Sequence, residues 1–425
     1  MGVLSVQVPY PVFLDRDGQP LDNGDIYIGT ANTDALTNQI PVYYDQALTI
    51  TAAQPLKTSG GYIYRNGTPA QVYVNATDFS ISVRDEKGLL IYNFPTATGI
   101  GTGAASIQYD PPFTGGVPTT VEEKLSEYVS VLDFGAVGNG VTNDTVAIQA
   151  ALNSGSKNIV FTSGKTYLVD GGLTFTQTNG LISASGATIK LKNNAPNKYI
   201  IKCTGDYTVV DGGTWDANRA NGNSGTAFPD EYGYWGVFID CDYGTIKNTT
   251  AKSSYGAGLL GQGNYLTFQN NTVSDCFFWG IFITALPATH YYGNKAIGNV
   301  VDCSASTTYS QGILFSSTGD ATGQQRDWVF ANNIITGAQG AGVAAQCICL
   351  AVRGERGVVS GNVTRYGSMG FSEGGDDTVV TGNVFTELQG SFQYGIEPNG
   401  WQTITGNFVT ASKRGVNAGN ANTVF

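Results

Sequence analysis

From about residue 205 to the C-terminus, short runs of alternating apolar and polar residues are punctuated by one recurring phrase: an Asn followed by Thr or an apolar residue. It stands at Asn248, Asn271, Asn299, Asn333, Asn362, Asn383 and Asn407, with gaps of 23, 28, 34, 29, 21 and 24 residues. A preceding Gly marks four of these, in Gly298-Asn299, Gly361-Asn362, Gly382-Asn383 and Gly406-Asn407. A second phrase, Gly plus an apolar strand, lies between them: Gly236-Val237-Phe238-Ile239, Gly280-Ile281-Phe282-Ile283, Gly312-Ile313-Leu314-Phe315 and Gly342-Val343-Ala344-Ala345. A period in the twenties with several short β runs per repeat predicts a parallel β-solenoid. The recurring Asn predicts an amide ladder at one corner, each side chain bonding to the next coil. A leucine-rich repeat has a similar period, but its Leu framework and helical segments are absent.

The preceding chain has a different grain. Residues 1–97 alternate β-branched and aromatic runs, at Asp25–Ile28, Ile40–Tyr44, Gln71–Val74 and Phe79–Val83, with turn signals such as Asn23-Gly24 and Lys87-Gly88. This spacing predicts a small all-β domain with a structural or docking role. Residues 98–126, rich in Gly, Pro and Thr and without hydrophobic period, read as a linker, with a helical turn over Glu122–Glu127 at its end. The solenoid occupies residues 127–425. At its start, Val131–Thr145 reads as a strand and Gly-rich turn, and Val146–Leu152 as a short helix capped by Asn143 or Asp144. That helix places Ala147, Ile148, Ala151 and Leu152 on one face and suits a lid over the open end of a β stack.

Composition narrows the chemistry. Only 13% of the 425 residues are charged, Gly numbers 57, and 22 Lys+Arg against 33 Asp+Glu leave a net charge of −11. With no basic cluster, nucleic-acid binding is disfavoured. No apolar run is long enough for a membrane helix, so no membrane insertion is expected, and the first residues match neither a secretory signal nor a myristoylation site. A lone histidine, His290, excludes multi-His metal sites. The six cysteines follow no zinc or redox spacing and read as reduced, buried thiols. No cofactor and no metal are expected.

Two segments resemble a known family. Asn23-Gly24-Asp25-Ile26-Tyr27-Ile28-Gly29, Asn38-Gln39-Ile40-Pro41-Val42-Tyr43 and Gln54-Pro55-Leu56 resemble the head-binding domain of tailspikes from short-tailed bacteriophages. Asp133-Phe134-Gly135-Ala136, with Asn143 through Gln149, resembles the opening of pectate-lyase-like right-handed β-helices, and Gly212-Gly213-Thr214-Trp215-Asp216-Ala217-Asn218-Arg219 is similar to a turn of the same superfamily. The resemblance implies an all-β chain: a small β domain followed by a right-handed parallel β-helix. It further implies a virion protein made in the host cytoplasm, a homotrimer docked on a phage head, tail or baseplate adaptor through residues 1–97, its β-helix binding host surface polysaccharide (O-antigen or capsule) and often cleaving it. Such proteins usually continue into a C-terminal trimerisation module, whereas this chain stops at Phe425. Either the parts present hold the trimer or a further segment does.

In a stack in register, residues at equal offsets from the Asn lie above one another, ~4.8 Å apart. Glu373 and Glu397 each stand ten residues before their Asn, Glu355 and Asp376 seven, and Arg356, Asp377 and Trp401 six. This predicts one acidic patch with Glu373 and Glu397 as stacked neighbours, whose mutual repulsion raises at least one pKa. Glycoside hydrolysis uses such inequality: a protonated acid and an ionised base or nucleophile, ~5–5.5 Å apart for retention and ~6.5–9.5 Å for inversion. The candidate catalytic residues are therefore Glu373, Glu397 and Asp376. Substrate binding falls to Trp401, stacking on a sugar, to Arg356, holding an anionic substituent, and to Glu355 and Asp377. An ordinary solvated acidic turn is the alternative for Asp376-Asp377.

A second candidate is the insertion Ala217–Trp235, with Asp216, Asp230, Glu231, Asp240 and Asp242 as acids, though its aromatics suit a subunit contact equally. His290 reads as a packed turn residue. The main expectation is a polysaccharide-hydrolysing tailspike. A lyase using Arg353, Arg356 or Arg365 near a uronic acid, and a non-catalytic receptor-binding or structural tail protein, are the rivals.

Overall fold

The computed structural model describes residues 10–76, 78–98, 104–223, 234–285, 289–304, 310–317, 324–337, 347–373, 375–389, 393–410, 413–417 and 423–424. Two compact units divide the chain, Met1–Leu125 and Ser126–Phe425.

The N-terminal unit is antiparallel. Asp25–Gly29 lies between Leu56–Ser59 and Asp78–Arg84, and Leu90–Thr98 pairs outside the latter. Alternation along Asp25–Gly29 sends Ile26 and Ile28 into a core with Phe13, Leu21, Val42, Leu56, Ile63 and Val83. The strands Leu56–Ser59, Tyr62–Arg65 and Leu90–Thr98 join the four runs evident in the sequence.

The second unit is a right-handed parallel β-helix. Among the described residues its strands form three long parallel sheets of twelve, eleven and ten strands, here called A, B and C and visited in that order from the second coil onward, and a short parallel sheet of three strands between C and A, over Tyr291–Tyr292, Gln325–Arg326 and Gly354–Glu355. Sheet A begins at Val129–Ser130, sheet B at Asn139–Asn143 and sheet C at Leu173–Phe175. The interior is a continuous apolar stack that includes Ile182, Trp215, Ile246, Ile281, Phe330 and Phe371. The helix Thr145–Leu152 closes its N-terminal end with Ile148, Ala151 and Leu152 buried. Asp144 holds the N-cap position without a side-chain cap bond: its carboxylate instead accepts from the N–H groups of Val137 (2.7 Å) and Gly138 (3.0 Å). Asn143 Oδ1 accepts from the Thr145 N–H at 3.1 Å.

The amide ladder runs up the corner between sheets A and B. Nδ2 of each Asn donates to Oδ1 of the next, from Asn271 to Asn299 at 3.0 Å and then through Asn333, Asn362, Asn383 and Asn407 at 2.9 Å. Asn248 does not belong to it. It stands one residue early, in the left-handed position (φ 54°), and Thr249 takes the rung, its N–H donating to Asn271 Oδ1. From Asp211 onward this corner is always two residues long, whereas connections beside sheet C vary freely.

Sheet C carries the glycine phrase. Gly236, Gly258, Gly280, Gly312, Gly370 and Gly395 recur one residue before the inward column Val237, Leu259, Ile281, Ile313, Phe371 and Ile396. A side chain there would strike sheet B: a Cβ on Gly280 would lie 2.2 Å from Val301 Cγ1. Gly342 lies outside the described residues, and in that coil Cys349 precedes the inward Leu350.

Candidate functional site

The outer face of sheet C is unlike the other two. Strand alternation that sends Val237, Leu259 and Ile281 inward sends their successors outward, giving a column Lys202, Phe238, Leu260, Phe282, Leu314, Ala351, Ser372 and Glu397 in register. A parallel outward column runs Ala257, Trp279, Gln311, Ile348, Met369, Tyr394 and Arg414. The middle of this face is a hydrophobic cluster of its own, with Trp279, Leu260, Phe282 and Met369 buried and the Trp279 and Phe282 rings 4.7 Å apart.

In these two outward columns, charge among the described residues stands at the two ends. At the lower end Lys202 Nζ lies 2.6 Å from Asp240 and 4.7 Å from the centre of the Phe238 ring, beside the stacked Tyr199–Trp235 pair. At the upper end Glu397 is half-buried, its Oε2 3.4 Å from Ser372 Oγ and its Oε1 accepting from Asn417 Nδ2 at 3.0 Å. Arg414 donates to Asn417 Oδ1 and lies 5.9 Å from the Tyr394 ring centre. Glu397 thus has neutral hydrogen-bond partners, with the guanidinium one amide away.

The long connections in the chain order adjoin the strands of this sheet. Residues 217–234, 303–309 and 337–346 lead into sheet C, and residues 286–290 and 318–324 lead out of it. The insertion's Asp230 and Glu231 lie outside the described residues. Its other acids have structural partners: Asp216 stands between Lys190 (3.8 Å) and Lys252 (3.6 Å), Asp240 pairs with Lys202, and Asp242 accepts from Asn264.

The stacking expected for the two glutamates is not found. Glu397 is in register with Ser372, and Glu373 with Pro398. The cause is the corner between sheets C and A: from Glu373 the chain takes five steps to Thr378, but from Pro398 only four to Gln402, its partner. Equal counts back from the Asn therefore cross unequal corners. Glu373 falls in the backbone column of Phe315 and Val352, which line the interior.

The remaining predicted residues gather at that corner. Glu355 is in register with Arg326 and forms an ion pair with it, Oε1 lying 2.6 Å from Nε. Arg356 grips Asp327 with two bonds, Nε to Oδ1 at 2.8 Å and Nη2 to Oδ2 at 2.9 Å. The Arg356 N–H donates to the Asp376 carbonyl, and the Asp376 carboxylate accepts from the Trp401 N–H at 2.7 Å. Asp376, Asp377 and Trp401 are exposed, and Trp401 is the most open aromatic of the group. The Arg356 guanidinium, chiefly through its hydrogen bond, holds the Asp327 carboxyl below its ordinary value. Arg356 is committed to Asp327 and Glu355 rather than open to a ligand.

Lower on the same corner stands a feature the Asn counting missed. Tyr207, Tyr243 and Tyr265 stack face to face with centroids 4.6 and 4.8 Å apart. The signal was present as Asp206-Tyr207, Asp242-Tyr243 and Asn264-Tyr265. His290 is half-buried, and its Nδ1 finds no hydrogen-bond partner among the described residues. Arg365 projects from sheet B, away from both groups. Cys203, Cys241, Cys276, Cys303 and Cys349 are free and buried, with burial pushing Cys241 and Cys276 up to about 12. Among the described residues no group of three or more His, Cys, Asp or Glu could hold a metal ion.

Two family models match, one to each unit. Residues 2–100 match the head-binding family, and residues 128–225 match the family described as rhamnogalacturonase A/epimerase, pectate lyase-like. A tail spike protein of Shigella phage Sf6 is 27% identical over 256 residues, covering 48% of this chain and 41% of that one. A tail spike protein of an Escherichia phage is 37% identical over 67 residues, 16% of this chain and 8% of its own length. The chain thus spans less than half the length of these curated relatives. Among solved structures, ORF18 of Geobacillus virus E2 matches with a TM-score of 0.43 and 14% identity over 82% of this chain and 67% of that one. A tailspike of E. coli bacteriophage HK620, solved with a pentasaccharide, matches with a TM-score of 0.38 and 15% identity over 72% and 71%.

Proposed function

Because this chain is of the bacteriophage tailspike type, a head-binding domain joined to a pectate-lyase-like β-helix, we propose that its N-terminal unit fastens it to the virion. The β-helix then engages bacterial surface polysaccharide on sheet C and hydrolyses it. The observation that carries this reading is the outer face of sheet C. Aromatic and aliphatic side chains make its floor, and at one end Glu397 is half-buried without an ion-pair partner among the described residues. Pyranose rings present flat C–H faces that pack on aromatic rings, so the half-buried Tyr394 suits a sugar, with the buried Trp279 and Phe282 in the cluster it packs against.

Glu397 is the carboxyl best placed to exchange a proton with a glycosidic oxygen or water. Ser372 and Asn417, both neutral, orient it. Its partner carboxyl comes from Asp376, in the corner beyond the neighbouring strand. Trp401, exposed beside Asp376, offers a ring to a further sugar. The ion-paired Glu355 and Arg356 are assigned instead to holding the corner rigid.

Incubation with host capsule or O-antigen, read by new reducing ends, tests the reading, which fails if none appear while the polysaccharide is bound. That outcome would support a non-catalytic receptor-binding tail protein, which the separate registers of Glu373 and Glu397 favour. A product absorbing in the ultraviolet would instead mark an eliminative lyase.

A further inference from the structure

We propose that the A/B corner of the C-terminal coils is the face by which copies of this chain pack together, the sheet A side of one against the sheet B side of the next. The outward column of sheet B beside the amide ladder is threonine from Thr188 to Thr272. At the next coil it turns aliphatic and remains apolar through Val300, Ile334, Val363, Val384 and Phe408. Val300, Ile334 and Phe408 are 43%, 45% and 59% exposed, and across the corner on sheet A Val358 and Val379 are 37% exposed. A continuous exposed apolar strip over several coils is uncommon on a surface facing only water, and marks a contact.

The corner between the two columns has low relief. Gly298, Gly361, Gly382 and Gly406 occupy its left-handed position in four of these coils, where Asn248 and Asn270 stand lower down. In the coil between Gly298 and Gly361 the position is held by Asn332, whose exposed amide projects at the corner and can hydrogen-bond to an adjoining copy.

Charge identifies the occupant as a second copy. The chain carries a net charge of −11, so copies meeting through an ordinary part of its surface repel. The strip itself is uncharged, and its foot is complementary to itself. Lys295, exposed on sheet A, and Asp302, on sheet B, belong to one coil on opposite sides of Asn299. In a cyclic assembly with parallel axes, residues of one coil stay at one height, so Lys295 meets the partner subunit's Asp302 around the ring. Sheet C lies across the section from this corner, so the packing leaves every copy's candidate site facing outward. Only the number of copies, three, rests on the tailspike reading.

Sedimentation velocity on the full chain tests this. The unsubstituted protein is expected as a trimer. Ile334→Lys with Val363→Lys is expected to sediment as single copies, with an unchanged circular dichroism spectrum because both positions are on the outer face of sheet B. Lys295→Asp alone should weaken assembly several-fold, and adding Asp302→Lys should restore it. A double-lysine variant that assembles as the parent does, or a parent that is a single copy at every concentration, overturns the proposal. The measurement does not involve polysaccharide, so it stands or falls independently of whether the chain cleaves a glycan.

Discussion

Glu397 lies against Ser372 across two neighbouring strands of sheet C, its Oε2 3.4 Å from the serine Oγ, and Asn417, just past the following strand, holds its other oxygen. This makes it a carboxylate oriented by neutral groups at the end of an apolar floor, and it directs the first prediction. Glu397→Gln keeps size and hydrogen-bonding capacity but cannot exchange a proton. Release of reducing ends should fall by about 10²-fold or more, the usual range for a lost general acid or base, while polysaccharide binding and thermal stability hold. Full cleavage by this variant would remove Glu397 from the mechanism.

The amide ladder should be costly to interrupt. Asn333 is buried, accepts from the N–H and Nδ2 of Asn299, and donates to Asn362 Oδ1 and the Ala296 carbonyl. Asn333→Ala strands these groups away from water, at about 1–3 kcal/mol each if nothing relaxes. Thermal denaturation should show a clear fall in Tm, larger than for Asn248→Ala, since Asn248 lies outside the ladder.

Acid should loosen the N-terminal end of the β-helix. Asp170 is held below its ordinary value chiefly by its hydrogen bond to Lys192, helped by Asn143 against the opposing effect of burial. A carboxyl whose pKa is lower folded than unfolded binds fewer protons when folded. Its contribution is full above about pH 4, the unfolded value, and is lost as pH falls through the folded one. Asp170→Asn should therefore lower stability at neutral pH and make little difference in strong acid, as read from denaturant midpoints across pH.

The glycines of sheet C should resist even a methyl group. Gly280→Ala would place a carbon 2.2 Å from Val301 Cγ1 and 2.5 Å from the Gly312 carbonyl oxygen. Both are held within the stack, so the expected loss is about 1–3 kcal/mol, the usual scale for overpacking. Gly18→Ala, where no atom lies within 4 Å but φ is +76°, should show only the smaller cost of a left-handed backbone.

How far the sequence could be read depended on which corner was counted across. The Asn rungs from Asn271 to Asn407 were legible because the A/B corner is two residues in every coil that carries them. Asn248 misled because an Asn also suits the left-handed position just before the rung. Counting back to Glu373 and Glu397 failed because it crosses the C/A corner, whose length differs by one residue between those coils. In a strand, one residue of slip exchanges the two faces. Glu355, Arg356, Asp376 and Trp401 stand at one corner, but the ion pairs to Arg326 and Asp327 depend on partners one coil away that no offset from an Asn singled out.

The fixed two-residue corner also matters for how such a chain can change. Coils from 21 to 34 residues long are carried on the same row of asparagines, and the surplus is spent beside sheet C. Recognition elements can therefore be lengthened, shortened or transplanted between rungs while the spine keeps its pitch. A chimaera cut at Gly361-Asn362 and Gly382-Asn383 would exchange one whole storey and inherit a new appetite for sugars without learning a new way to fold.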